Sequence, residues 1–291
     1  MARDKDASCI GEVGAVLAEG PVWVEREDAL YWVDILERRV FRWSEADGVR
    51  RIETGTHICS LAPRARGGFI GAGYEGFLAI DLDAGAVDVI ADPEGHLETN
   101  RFNDGKTDRM GRFWAGTMDR FEREASGSLY RLDPDLGWTR IDTGYRVTNG
   151  PAFSLDGRTM YHSDSALRRI YAFDLDQDGG ATGRRLFAAF GEHEGYPDGM
   201  TVDADGCLWI AFWDAWCVRR LAPSGEWLAE LPLPVQRPTS CAFGGPGYDQ
   251  LFVTSASRGL DEKSLGMQPS AGGLFMVMPG VRGVPDAPFA G

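Results

Sequence analysis

Four distant segments of this chain carry an acidic or amide side chain just ahead of a glycine. These are Glu19 before Gly20-Pro21, Asn103 or Asp104 before Gly105, Asn149 before Gly150-Pro151, and Asp198 before Gly199. Asn and Asp before Gly are common turn formers, but Glu19 ahead of Gly-Pro has no obvious turn role. Brought to one place, such side chains repel one another unless a cation sits between them. Their all-oxygen chemistry suits one hard or borderline divalent ion: Ca2+, Mg2+ or Mn2+, with Zn2+ or Fe2+ admissible where water completes the shell.

Convergence requires a fold that repeats. Gly20-Pro21-Val22-Trp23 and Leu30 to Asp34 reappear 130 positions on as Gly150-Pro151-Ala152-Phe153 and Met160 to Asp164. Arg38 to Phe41 likewise align with Arg168 to Tyr171, and no gap is needed. A second pair relates Asp104-Gly105 to Asp198-Gly199 at an offset of 94, and Asp108 with Phe113-Trp114 to Asp203 with Leu208-Trp209 at 95. Weaker copies start near Ser60 and Thr239. Each copy is expected to end in a strand, beginning near Arg39, Gly76, Ser128, Arg169, Cys217 and Gly273. Six units at roughly one per 43 residues is propeller-blade spacing. No window shows a helical apolar stripe, and 38 glycines with many Asp-Gly and Gly-Gly pairs favour short strands and tight turns. The expectation is therefore all-β: a six-bladed β-propeller forming one domain over residues 1–291, with the strand near Ile10 to Val16 completing the last blade beside Leu274. In such a ring the innermost strands line the channel, so equivalent residues meet at one mouth.

Other motifs fail. Gly105-Lys106-Thr107 lacks the earlier glycine of a phosphate loop, since position 100 is Asn100. Asp174, Asp176, Asp178 and Gly179 open like a calcium loop, but Arg185 stands where the bidentate Glu belongs. There is no G-x-S-x-G elbow and no H-E-x-x-H. The balance of 30 basic against 44 acidic residues, net −14, argues against nucleic acid and anionic membranes as partners. No apolar run approaches the ~20 residues of a membrane span. Met1 to Asp6 precede no apolar leader, and the five cysteines are odd in number without C-x-x-C spacing. These features predict reduced thiols in a cytoplasmic protein, a monomer or weak oligomer.

The segments Glu19-Gly20-Pro21, Asn100 to Lys106, Thr148 to Pro151 and Tyr196 to Gly199 resemble the signature segments of the senescence marker protein (regucalcin)/gluconolactonase family. Gly116-Thr117-Met118 and Gly127 to Arg131 extend the resemblance over nearly the whole chain. It implies a six-bladed propeller with one divalent metal in the channel and sugar lactonase activity. It also implies Glu19, Asn149 and Asp198 as metal ligands, with Arg101 and Asn103 touching substrate. Animal members are similar in using a Glu soon after Thr-Met to touch the sugar; here Asp119, Arg120, Phe121 and Glu122 follow, and that contact is not carried over.

Hydrolysis of a cyclic ester needs a polarised carbonyl, an activated water and a stabilised oxyanion. A divalent ion supplies the first two. Asp198, or the adjacent Asp104, is the candidate proton acceptor, so Asp198 is read as both ligand and catalytic residue. Arg101 and Asn103, with Asp104, are the substrate-binding set; a surface ion pair is the alternative role for Arg101. Trp32, Trp114, Trp209 and Trp213 are expected to pack blades rather than to form a sugar platform. The expected activity is metal-dependent hydrolysis of an aldonolactone (glucono-, xylono-, arabinono- or a related 1,4/1,5-lactone) to the aldonic acid. The alternatives are a hydrolase of other esters or organophosphates, and a non-enzymatic calcium-binding or interaction propeller.

Overall fold

The computed structural model describes residues 7–291. Met1 to Asp6, read above as carrying no leader, lie outside the described residues. Among the described residues, twenty-four strands form six four-stranded antiparallel sheets arranged as a β-propeller. A short strand, β1 (Ser8–Gly11), comes first. Blade 1 is β2 (Ala18–Val24), β3 (Ala29–Asp34), β4 (Arg39–Ser44) and β5 (Gly48–Glu53). Blade 2 is β6 (Ile58–Pro63), β7 (Phe69–Gly73), β8 (Gly76–Asp81) and β9 (Ala86–Ala91). Blade 3 is β10 (Asn100–Thr107), β11 (Phe113–Asp119), β12 (Gly127–Leu132) and β13 (Trp138–Tyr145). Blade 4 is β14 (Thr148–Phe153), β15 (Thr159–Asp164), β16 (Arg169–Leu175) and β17 (Ala181–Ala189). Blade 5 is β18 (Tyr196–Val202), β19 (Leu208–Trp213), β20 (Cys217–Leu221) and β21 (Trp227–Pro232). Blade 6 is β22 (Pro238–Gly244), β23 (Gln250–Ser255) and β24 (Leu274–Val277), with β1 as its outermost strand.

β1 closes the ring by pairing Ser8 with Met276 and Cys9 with Phe275. The closing strand stops at Gly11, short of the expected Val16. The strands near Arg39, Gly76 and their equivalents are third strands, not last ones; a fourth follows each in blades 1 to 5, and β1 supplies it in blade 6. Burial explains why the fourth is hard to see. The inner strands β6 and β14 are buried at every residue, because blade faces stack on both sides, whereas β13 and β17 are mostly exposed. Trp32, Trp114 and Trp209 are fully buried between blades, while Trp213 is only half-buried and faces the channel mouth. A one-and-a-half-turn helix, α1 (Glu262–Met267), sits in the β23–β24 loop, too short to announce itself by periodicity.

The repeat at 130 has a physical basis. Asp34 accepts the Val16 and Leu17 amides at 3.0 and 3.1 Å; Asp164 accepts those of Arg146 and Val147 at 3.0 and 3.3 Å. Each aspartate thus pins the loop that leads into its blade's inner strand. The repeat at 95 has another. Asp108 and Asp203 each cap a hairpin and take an indole N–H, from Trp114 at 2.9 Å and Trp209 at 2.8 Å.

At the opposite end of the channel, residues 283–291 cross the blades. Gly283 bridges to Asp203, and the Gly283 amide donates to the Tyr248 carbonyl at 2.7 Å. Arg109 holds the Pro285 carbonyl at 2.8 Å, and the Thr107 hydroxyl donates to the Ala287 carbonyl. Phe289 is fully buried against Phe102 and Phe113, and its amide bonds to Pro63 at 2.8 Å. The tail thus runs across that end of the channel, and its Asp286 lines a small inner cavity with residues of several blades.

Candidate functional site

Every inner strand breaks its ladder near its start: between Glu19 and Val22, Ile58 and Ser60, Phe102 and Gly105, Asn149 and Ala152, Pro197 and Met200, and Pro238 and Ser240. Such bulges re-aim side chains. Gly20 and Gly150 take the positive φ (54° and 79°) that two of them require. Because inner strands begin at this end, the loops joining blades and those joining second to third strands all gather around one mouth. They enclose a cavity of about 520 Å3.

Five of the six residues singled out above line that cavity: Glu19, Arg101, Asn103, Asn149 and Asp198. Asp104 does not. The ladder aligns Asp198 with Asn103, at an offset of 95, so Asp104 corresponds to Gly199 and the shared Asp-Gly spelling is a coincidence. Asp104 lies one residue deeper, against a second cavity of about 20 Å3 shared with Lys106 and Asp286. Its oxygens accept the Gly105 amide at 2.8 Å and the Gly150 amide at 2.9 Å. Nor are the other residues strictly equivalent: Glu19 and Asn149 are the last paired residues before their bulges, whereas Asn103 and Asp198 open theirs.

The electrostatics are those of carboxylates lacking a counter-charge. Glu19 and Asp198 are both buried. Burial, then the charge of Asp104, holds Glu19 well above the usual carboxylate range. Burial, then the charge of Glu19, does the same to Asp198. Burial also pushes Asp104 up to about 6. Oδ1 of Asp198 has no hydrogen-bond partner among the described residues. Buried polar atoms seldom stay unpaired, so this oxygen is a ready position for a cation. No cluster of three His, Cys, Asp or Glu ligands occurs among the described residues; the donor set is two carboxylates and an amide. That hard-oxygen set fits a divalent ion.

Hydrogen bonds fix which end of each amide faces the cavity. Ser165 Oγ donates to the Pro197 carbonyl at 2.6 Å and so accepts from Asn149 Nδ2 at 2.8 Å. Asn149 Oδ1 is then the end that turns toward Asn103, whose Nδ2 reaches it at 3.0 Å and the Thr148 carbonyl at 2.7 Å. Asn103 Oδ1 in turn accepts from Arg101 Nη1. An amide oxygen accepts two bonds, so Asn149 Oδ1 keeps one lone pair for a cation. Arg101 is buried, stacks over Tyr74 at 5.6 Å from the ring centroid, and has its Nε unpartnered. It makes no ion pair with a carboxylate among the described residues, which removes the surface-pair alternative.

Several cavity residues had no sequence signal. Ser165 has Ile35 as its mate at the 130 shift. Arg146, Arg237 and Arg258 arrive on loops. Of the stretch Asp119 to Glu122, the fourth residue reaches the cavity. Asp119 turns that loop by accepting the amides of Phe121 at 3.3 Å, Arg123 at 2.9 Å and Glu124 at 3.3 Å.

Comparison with known proteins agrees with this architecture. Residues 17–257 match the model of the SMP-30/Gluconolactonase/LRE-like region. Regucalcin of Gallus gallus is 40% identical, covering 97% of this chain and 98% of its own. The crystal structure of a calcium-binding protein, regucalcin, from Agrobacterium tumefaciens superposes with a TM-score of 0.92 at 29% identity, covering 97% of this chain and 96% of that one. A gluconolactonase of Xanthomonas campestris gives 0.77 at 26% identity, covering 94% and 88%. With its six blades and its match over most of its length, the chain belongs to the SMP-30/gluconolactonase/LRE-like family.

Proposed function

We propose that the protein is a metal-dependent lactonase that hydrolyses a polyhydroxylated lactone to its acid. One observation carries this reading: two buried carboxylates, one with an orphaned oxygen, share a cavity with an oriented amide oxygen. A relative described as calcium-binding and another described as a gluconolactonase support it. Glu19, Asn149 and Asp198 would hold the ion, which when bound polarises the ester carbonyl and acidifies water.

The chain's own residues do the rest. Asp198 is held among other carboxylates, and the proton of the attacking water passes to it. Water adds to the carbonyl carbon, the ring C–O bond breaks, and that proton returns to the leaving alkoxide oxygen. Arg101 donates to ring hydroxyls, and Asn103, whose two Nδ2 hydrogens are already spent on Thr148 and Asn149, accepts from a hydroxyl through the second lone pair of its Oδ1. Their mutual hydrogen bond sets both before substrate arrives, so little ordering is left to be done on binding. Asp104 holds the Gly150 amide and so orients the residue that follows Asn149.

The test is a panel of aldonolactones and aryl esters followed with a pH indicator, before and after chelation and with divalent ions restored. Lactone turnover that chelation abolishes and an ion restores is expected. Full turnover in protein shown to be metal-free by elemental analysis would overturn the metal role. Activity on aryl esters alone would overturn the lactonase reading.

A further inference from the structure

The walls above the candidate metal position are unusually basic for a chain of net charge −14. Four guanidinium groups face the cavity: Arg101, Arg146, Arg237 and Arg258. Four carboxylates do too, but two of them, Glu19 and Asp198, lie at the floor where the ion would neutralise them. Asp214 is committed to Arg237 at 2.7 Å in a pair largely shielded from solvent, with side-chain exposures of 30% and 15%. Arg237 also stacks on Trp213, its guanidinium carbon 4.8 Å from the ring centroid. Glu122 faces Arg258 at 3.5 Å with side chains 45% and 39% exposed. Such a pair is weak and readily exchanged. It also joins the β11–β12 loop of blade 3 to the β23–β24 loop of blade 6, on opposite sides of the six-membered ring, so it spans the mouth. Arg146, on the β13–β14 turn, has no ion-pair partner among the described residues.

With the floor carboxylates matched by a divalent ion and Arg237 by Asp214, three cavity cations remain among the described residues: Arg101, assigned above to the ring hydroxyls, Arg146, which is unpaired, and Arg258, which is weakly held. We infer that the substrate is an acidic lactone, carrying a carboxylate or phosphate at the end remote from the ring ester, which Arg146 and Arg258 read. Rigid bidentate guanidinium groups suit either anion. The incoming anion takes over Arg258 from Glu122, so substrate entry and opening of the bridge across the mouth are the same event. This inference rests on the lactonase reading and narrows it to a substrate class.

The experiment compares kcat/KM for a neutral aldonolactone, an aldarolactone bearing a carboxylate, and a phosphorylated aldonolactone, in metal-loaded protein at low and high salt. Wild type should prefer an acidic lactone by about tenfold or more at low salt, mainly through KM, with the margin shrinking as salt screens it. The better of the two identifies the anion. Arg146→Gln and Arg258→Gln should each shrink the acidic-to-neutral ratio, the double variant should abolish it, and Arg258→Lys should keep part of it. Turnover of the neutral lactone without preference in wild type, or a preference intact in the double variant, would overturn the inference while leaving the lactonase reading standing. If no lactone is turned over, the lactonase reading fails instead. Calorimetric binding of an aldarate dianion to wild type and double variant then decides the charge preference alone, equal affinities overturning it.

Discussion

His162 offers a quantitative check on the packing behind the site. It stands on β15 next to Ser163, which pairs with Asn149. The ring is fully buried, lies 4.8 Å from Tyr145, and has neither nitrogen hydrogen-bonded among the described residues. Burial lowers its pKa to about 4, against an ordinary 6.5. Between those values the unfolded chain binds a proton that the native one refuses, so stability falls as pH falls through this window. A gap of about 2.5 pH units at ~1.4 kcal/mol each amounts to about 3 kcal/mol. That contribution is whole above pH 6.5 and gone near pH 4. Glu19 and Asp198 act with the opposite sign, since their raised values make the native state bind protons first. They are present in any His162 variant and cancel in a comparison. The assay is urea unfolding of wild type and His162→Phe at intervals from pH 7.5 to 4.5, in chelator. The stability difference between the two should shift by about 2–3 kcal/mol in the variant's favour across the range. A difference that stays flat with pH would show that native His162 takes up its proton as readily as the unfolded chain does, and that the burial argument is wrong.

Other outcomes bear on the site itself. Glu19→Gln keeps the shape of the side chain but removes a charge, and should lower both bound metal by elemental analysis and turnover; unchanged stoichiometry removes Glu19 from the ligands. Asp198→Asn should lose roughly 10²–10⁴ in kcat even at saturating metal, because an amide cannot take a proton; full recovery at high metal would leave Asp198 a ligand only. Arg101→Ala should raise KM for polyhydroxylated lactones with metal content unchanged, and an equal loss on a lactone stripped of hydroxyls would show that it does not read the sugar.

Much of the fold was legible because its repeat is written in residues with fixed jobs. Asp34 and Asp164 pin loops, Gly20 and Gly150 accept positive φ, and Asp108 and Asp203 cap turns and hold indoles, so each recurs at its blade spacing. Fourth strands such as β13 and β17 were hidden because solvent, unlike a neighbouring blade, imposes no apolar pattern. The floor of the cavity could be found for the same reason as the fold: its residues sit at recurrent bulges. Asp104 shows how far that goes, since spelling matched it to Asp198 while the hydrogen-bond ladder matches Asn103 instead. The arginines of the mouth and Ser165 could not be found, because their loops keep a place in the blade but not a residue type: at the 130 shift Arg146 and Ser165 answer to Val16 and Ile35.

The tail that crosses the far end of the channel also bears on traffic. With residues 283–291 stitched to Thr107, Arg109 and Pro63 across the far end, the cavity is expected to fill and empty through the mouth alone. Product must depart by the route the next substrate needs, and the two can never pass. On the proposed lactonase reading, hydrolysis would turn an ester into a carboxylate at the floor, beside the residues that would hold the ion. The acid therefore occupies the same space as the substrate and binds the same free form of the protein. Its inhibition should be purely competitive, and turnover under accumulating product should slow long before the lactone is exhausted.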